Sequence, residues 1–264
     1  MNDPEEQLAG GNVNTVVRVG NTVRRGLTPN SESVHRLLRH LQDKEFTGSP
    51  RFRGIDDQKR EILSFIDGET GIPPSIWQSD EAIIATARLL SRYHDATVDF
   101  APADDAVWAY RYPDPARHEV ICHNDFAPYN FVYVDGLPIA VIDFDLAGPG
   151  PRLKDVAYTA YWLVPLSFNS ADQVAFANDD IQQGSRRLHL FCDTYGIPAD
   201  SNLLDMVGEV LALMGDEGQM QQIVGHAVAA RLKRDGHLAH WQQEAASFQR
   251  NRAYIQANLA VSGS

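Results

Sequence analysis

Cysteine is scarce in this chain: 264 residues hold two, Cys122 and Cys192, with no CxxC pair and no ladder of spacings. That excludes a disulfide scaffold and points to a reduced compartment. Long apolar runs are missing too. No stretch approaches the ~20 residues that span a bilayer. The acidic start, MNDPEEQLAGG, lacks the basic and apolar regions of a signal peptide. The expectation is a cytoplasmic protein with no membrane partner. Basic charge is also short, since 23 Lys and Arg stand against 35 Asp and Glu, a formal net charge of −12. Such an excess of acid repels nucleic acid, which is set aside as a partner, and is compatible with a cationic one. Oligomeric state is left undecided. Several catalytic signatures are absent. There is no HExxH, and His237-x-x-His240 has neither a nearby cysteine nor an obvious third ligand, so the nine histidines make no zinc site. No Gly-x-Ser-x-Gly elbow marks a serine hydrolase, and no GxGxxG follows a strand.

What is present is ordinary globular material, 44% hydrophobic and 22% charged, long enough for one large domain or two modest ones. Residues 1–67 read as a small strand-rich unit. Gly10-Gly11-Asn12 is a turn signal, and the β-branched run Thr15–Val19 turns at Gly20-Asn21 into Thr22–Arg25, a hairpin. Ser31 or Ser33 is placed to cap a helix carrying Val34, Leu37, Leu38 and Leu41 at helical spacing. Arg51–Gly54 and Glu61–Ile66 are further strand candidates around a polar turn. From Asp67 the character changes. A helix is expected from Ser79 to His94, then an apolar segment ending at Cys122, then strands 131–134 and 139–144 joined by Asp135-Gly136. After Asp155 the chain reads as helical, broken near Gly196, Gly215–Gly218 and Gly236. The fold class expected is α+β in two lobes, 1–67 and 68–264.

One stretch carries the chemistry: Val120-Ile121-Cys122-His123-Asn124-Asp125-Phe126-Ala127-Pro128-Tyr129-Asn130, followed by Val141-Ile142-Asp143-Phe144-Asp145. Phosphoryl transfer asks a protein for metal ions on the phosphates, carboxylates to hold them, and an acceptor hydroxyl aimed in line. His-x-Asp-x-x-x-x-Asn supplies one carboxylate and one amide on a tight loop, and a hairpin returns a second carboxylate, Asp143. On average composition that spacing arises by chance in roughly one in 10³ chains of this length. Asp145 lies two residues past Asp143, so an extended segment would turn both to one side. It reads equally as a further metal ligand or as a solvated acid.

These residues resemble the aminoglycoside phosphotransferase and choline-kinase-like family. Its HGDxxxxN appears as His123-Asn124-Asp125 through Asn130, and its IDxxxA as Ile142–Ala147. Pro149–Tyr158 is similar to its Gly-x-x-x-x-Asp-hydrophobic-Ala segment, and Leu89–His94 resembles its Leu-x-x-Leu-His helix. The resemblance covers most of residues 8–160. It implies a protein-kinase-like two-lobed fold, with a small β-rich N-lobe and a larger, mostly helical C-lobe. It also implies transfer from ATP or GTP, with Mg²⁺, to a hydroxyl of a small molecule, aminoglycoside-like or another amino-alcohol. Carried over, Asp125 is the catalytic aspartate, with His123 beside it as a loop-fixing residue, and Asn130 and Asp143 are Mg²⁺ ligands. Asp155 braces the loop. Gly10 and Gly11 correspond to the glycine loop over the phosphates. The backbone of Ser64, Phe65 and Ile66 at the lobe junction would meet the purine. Arg25 stands where the family has a strand lysine, and the helix glutamate that orients it has no counterpart near Val34-His35. Arginine is not a neutral exchange for lysine. Some short members are labelled trifolitoxin-immunity-like, which carries the alternative of a catalytically weak or inactive binding or immunity protein. No Ala-Pro-Glu or activation segment follows Asp143, against a true protein kinase.

Overall fold

In the computed structural model of this chain, residues 4–8, 16–164, 166 and 181–262 are described. The N-terminal part is a five-stranded antiparallel sheet, ordered β1 (Glu5–Gln7), β2 (Val17–Val19), β3 (Thr22–Gly26), β5 (Arg60–Ser64), β4 (Phe52–Ile55). The β2–β3 hairpin turns on Gly20, which alone of the two central residues has positive φ, 60°. That matches the type II′ pattern suited to strand twist. Helix α1 (Ser31–Asp43) buries Val34, Leu37, Leu38 and Leu41, the stripe its spacing predicts. Its N-cap is Asn30, not Ser31 or Ser33, and the Asn30 side chain makes no cap hydrogen bond. That amide donates instead to the Asp145 carbonyl.

Helix α2 (Asp80–Thr97) starts on Ser79, whose hydroxyl accepts from Ala82 N at 3.1 Å. Two small antiparallel pairs follow: β6 (Val120–Cys122) with β9 (Gly148–Gly150), and β7 (Phe131–Val134) with β8 (Leu137–Val141). Asp135 and Gly136, at φ 52° and 76°, form the β7–β8 turn with both central residues left-handed. The second strand ends at Val141, short of the Phe144 expected from sequence, because Asp143 adopts a left-handed conformation (φ 65°, ψ 71°) that terminates the ladder. The described residues after β9 are mainly helical: α3 (Arg152–Leu163), α4 (Ile181–Tyr195), α5 (Ser201–Gly215), α6 (Glu217–Val224), α7 (His226–Arg234) and α8 (His237–Ser262). Helices α2, α3, α4, α5 and α8 pack on one another.

One apolar cluster runs from α1 through α2, the strand pairs and α3 to α8, with a small satellite of Met220, Ala229 and Leu238. Trp108, Trp162 and Trp241 are buried in packing, and Trp77 ties in through Nε1, which donates to Trp162 O at 2.9 Å. Both cysteines are free and buried. Among the described residues no helix is long and apolar enough to cross a membrane.

Candidate active site

The two strand pairs position the motif. In β6–β9, Cys122 lies opposite Gly148, so the loop leaving Cys122 and the segment entering Gly148 start side by side. In β7–β8, Phe131 lies opposite Val141, and Ile142 N donates to Asn130 O at 2.8 Å. Asn130 and Asp143 are thereby delivered from adjacent strand ends. Gly148 is required here: a Cβ at that position would sit 1.8 Å from Tyr110 O.

The loop is stapled by Asp155. Its Oδ2 accepts from His123 N at 2.6 Å and faces His94 Nε2 at 3.1 Å, while its Oδ1 accepts from Asn124 N at 2.8 Å. Asp155 is fully buried. Burial alone would raise its pKa, but the His94 hydrogen bond and the charges of His94 and Lys154 outweigh it and hold the carboxyl below its ordinary value. Asn124 turns the loop at φ 64°, a conformation Asn tolerates, and Lys154 Nζ donates to Asn124 Oδ1 at 2.9 Å. His123 is buried, and its Nε2 donates to Ile142 O at 3.1 Å. A carbonyl only accepts, so Nε2 carries the proton. Nδ1 has no partner among the described residues. Burial lowers the His123 pKa, in keeping with a neutral ring that fixes the loop.

Asp125 is held at both oxygens. Oδ2 accepts from Asn130 Nδ2 at 2.8 Å, and Oδ1 accepts from the Tyr129 hydroxyl. Its pKa is pushed up to about 6: burial raises it most, Asp143 adds like-charge repulsion, and the Tyr129 and Asn130 bonds act against both. Tyr129 and Tyr158 share a hydroxyl contact at 2.8 Å, and burial beside Asp125 keeps both phenols protonated.

Arg25 reaches the same place from the sheet. Its Nη1 lies 3.3 Å from Asp143 Oδ1, its Nη2 donates to Asp145 Oδ1 at 2.7 Å, and its Nε donates to Glu61 Oε1. The guanidinium stays charged, since these acids outweigh the effect of its burial. Arg24 faces Asp56 instead, at 3.7 Å. Asp145 is not on an extended segment, because residues 144–146 form a 3-10 turn. Strand alternation therefore does not set Asp143 and Asp145 on one side, yet Arg25 joins them both. The Asn30 side chain donates to Asp145 O at 2.7 Å, so the cap residue of α1 ties that helix to the turn.

Glu61 is the residue that sequence reasoning missed. It lies directly opposite Arg25 across β3–β5, and its second oxygen contacts His35 Nε2 at 2.6 Å. His35 in turn stacks on Phe52, ring centroids 3.8 Å apart. The carboxylate expected from a helix thus comes from a strand, and α1 supplies a histidine that holds it. The signal was available: Glu61 shares the inward face of β5 with Leu63, and an acid at a buried strand position needs a cation. Tyr129, Tyr158 and Lys154 were also passed over, since each lies inside a motif segment at a position the motif leaves open or at its end.

At the lobe junction, Ser64 N donates to Arg51 O and Phe65 N to Asn21 O, both at 2.8 Å. Among the described residues, the Ile66 N–H makes no backbone hydrogen bond. Arg18 stacks over the Phe65 ring at 3.7 Å. Gly10 and Gly11 lie outside the described residues, as do three of the acids after residue 160, Asp172, Asp179 and Asp180. The donor set of Asn130, Asp143 and Asp145 suits a hard divalent cation: one amide oxygen and two carboxylates. Asp143 is half exposed, and burial together with Asp143 raises the Asp145 pKa. A pair of acids so placed favours a positive charge between them.

The model of the phosphotransferase enzyme family matches residues 97–191. The trifolitoxin immunity protein of Rhizobium leguminosarum bv. trifolii is 36% identical over 204 residues, covering 75% of this chain and 76% of that protein. Among solved structures, an ADP-bound aminoglycoside phosphotransferase superposes with a TM-score of 0.59 at 13% identity, covering 94% of this chain and 95% of its own. An amicoumacin kinase in complex with AMP-PNP, Ca²⁺ and Ami gives 0.61 at 12% identity, covering 91% and 87%. The fold is the two-lobed, protein-kinase-like one, with a β-sheet N-lobe and a helical C-lobe.

Proposed function

The chain belongs to the phosphotransferase enzyme family, and on that premise we propose that it transfers the γ-phosphate of ATP to a hydroxyl of a small molecule. The single observation that carries this reading is the meeting of Asp125, Asn130, Asp143 and Arg25 at adjoining strand ends. Asp125, with its raised pKa, suits an acid–base role toward an acceptor hydroxyl. Asn130, Asp143 and Asp145 would hold Mg²⁺, whose chemistry is to neutralise charge on the transferring phosphate. Arg25, oriented by Glu61, would pair with phosphate oxygens in a bidentate fork. His123 and Asp155 keep the loop in shape, Gly10 and Gly11 would cover the phosphates, and Ile66 would meet the purine. We take Asp67 as the boundary between the lobes. The acceptor we favour is an amino-alcohol, since the net charge of −12 favours a cation. The two free thiols fit a cytoplasmic protein.

The test is a screen of amino-alcohols reading ADP release, with Asp125→Asn as control. Turnover in the wild type and a loss of at least ~10²-fold in the variant support the reading; equal turnover in both removes Asp125 from it. A second reading rests on the immunity protein found at 36% identity: a kinase-fold binding protein with little or no transfer. It predicts little or no ADP release from the wild type with any acceptor.

A further inference from the structure

One carboxylate oxygen of Asp125 is already taken by a hydroxyl of the chain itself. Tyr129 sits four residues after Asp125 and donates to its Oδ1, while Asn130 Nδ2 holds Oδ2 at 2.8 Å. The Tyr129 ring meets Trp162 edge-on, centroids 5.2 Å apart, and its hydroxyl touches that of Tyr158 at 2.8 Å. Tyr158 in turn packs on Trp162 and Trp241. The phenol therefore stands between the carboxylate and the aromatic wall of α3 and α8. A hydroxyl donating to Asp125 is what an acceptor alcohol, or an intruding water, would also have to be.

Resting on the phosphotransferase reading, we propose that Tyr129 is a specificity-determining gate, its hydroxyl occupying the place on Asp125 that an acceptor must take. Water entering this site would form a bond from its oxygen to the γ-phosphorus as the bond from that phosphorus to the ADP oxygen breaks. Its proton would pass to Asp125, giving ADP and inorganic phosphate. Water has no further body with which to displace a phenol seated between a carboxylate and a second phenol. An acceptor bound along the aromatic wall does, and it spends that binding energy on opening the site. Hydrogen bonds to a charged group are strong enough for such exclusion to be worth roughly tenfold or more.

The experiment is basal phosphate release from MgATP without acceptor, in the wild type, Tyr129→Phe, Tyr158→Phe and the double variant Tyr129→Phe with Asp125→Asn. MgATP affinity is read alongside by calorimetry. The gate predicts that Tyr129→Phe hydrolyses at least about tenfold faster than the wild type. Tyr158→Phe, which leaves Tyr129 a single partner, gains less, and the double variant loses the gain. Mere structural damage would lower hydrolysis, not raise it. Unchanged hydrolysis with MgATP still bound overturns the gate and leaves the phosphotransferase reading standing. A gain that survives in the double variant also overturns it. Absence of MgATP binding throughout, the wild type included, brings down the phosphotransferase reading and the gate with it.

Discussion

Replacing Glu61 by glutamine removes one charge and almost no volume, which makes it a sharp test of the Arg25–Glu61–His35 trio. Glu61 is 1% exposed and is bonded on both oxygens. Breaking a buried ion pair from one side costs about 3–5 kcal/mol, because the partner charge stays behind. Glutamine can still accept one of the two bonds, and Arg25 keeps Asp143 and Asp145, whose side chains are 50% and 33% exposed. The low end is therefore expected, about 3 kcal/mol. In urea, with a slope of about 3 kcal/mol/M, the midpoint should fall by roughly 1 M. The pH dependence has a definite sign. Burial alone would raise the Glu61 pKa, but the His35 hydrogen bond and the Arg25 charge outweigh it and hold it below its ordinary 4.5. A depressed carboxyl contributes fully above its unfolded value, and its contribution is lost as pH falls through the folded one. The gap between wild type and Glu61→Gln should thus be complete at neutral pH and close at the acid end, below about pH 4. A difference under about 0.5 kcal/mol at pH 7, within the range of ordinary surface substitutions, would refute the idea that the three residues act as one unit.

Asp155→Asn should destabilise by about 3 kcal/mol in the same assay, since an amide nitrogen would face loop N–H donors. Its carboxyl is also held low, so this loss should likewise shrink as acid titrates the wild type below about pH 4. Gly148→Ala drives a Cβ against the Tyr110 carbonyl and should cost at least about 2 kcal/mol. Thermal melting checks it, and an unchanged midpoint would mean that β9 shifts freely.

Much of this is legible in the sequence. Alternation and turn residues gave both hairpins, and the helical stripe gave α1, because those signals act over a few residues. Motif spacing singled out Asp125, Asn130 and Asp143, which the strand pairs then brought together. The trio at Glu61 was hidden because it is a register effect: only the alignment of β3 with β5 sets Arg25 opposite Glu61. The cap of α1 was misread because Asn30 spends its amide on the backbone of Asp145, a contact 115 residues away in sequence. Tyr129 escaped for a plainer reason. A tyrosine inside a motif reads as filler until its hydroxyl is seen on the aspartate.

Calorimetric titration of MgATP into the wild type and Asp143→Ala tests the central claim most directly. Saturable binding is predicted at or below millimolar nucleotide, weakened at least about tenfold in the variant through loss of a charge-assisted ligand. Silence in the wild type at millimolar MgATP, or affinity untouched by Asp143→Ala, would contradict it.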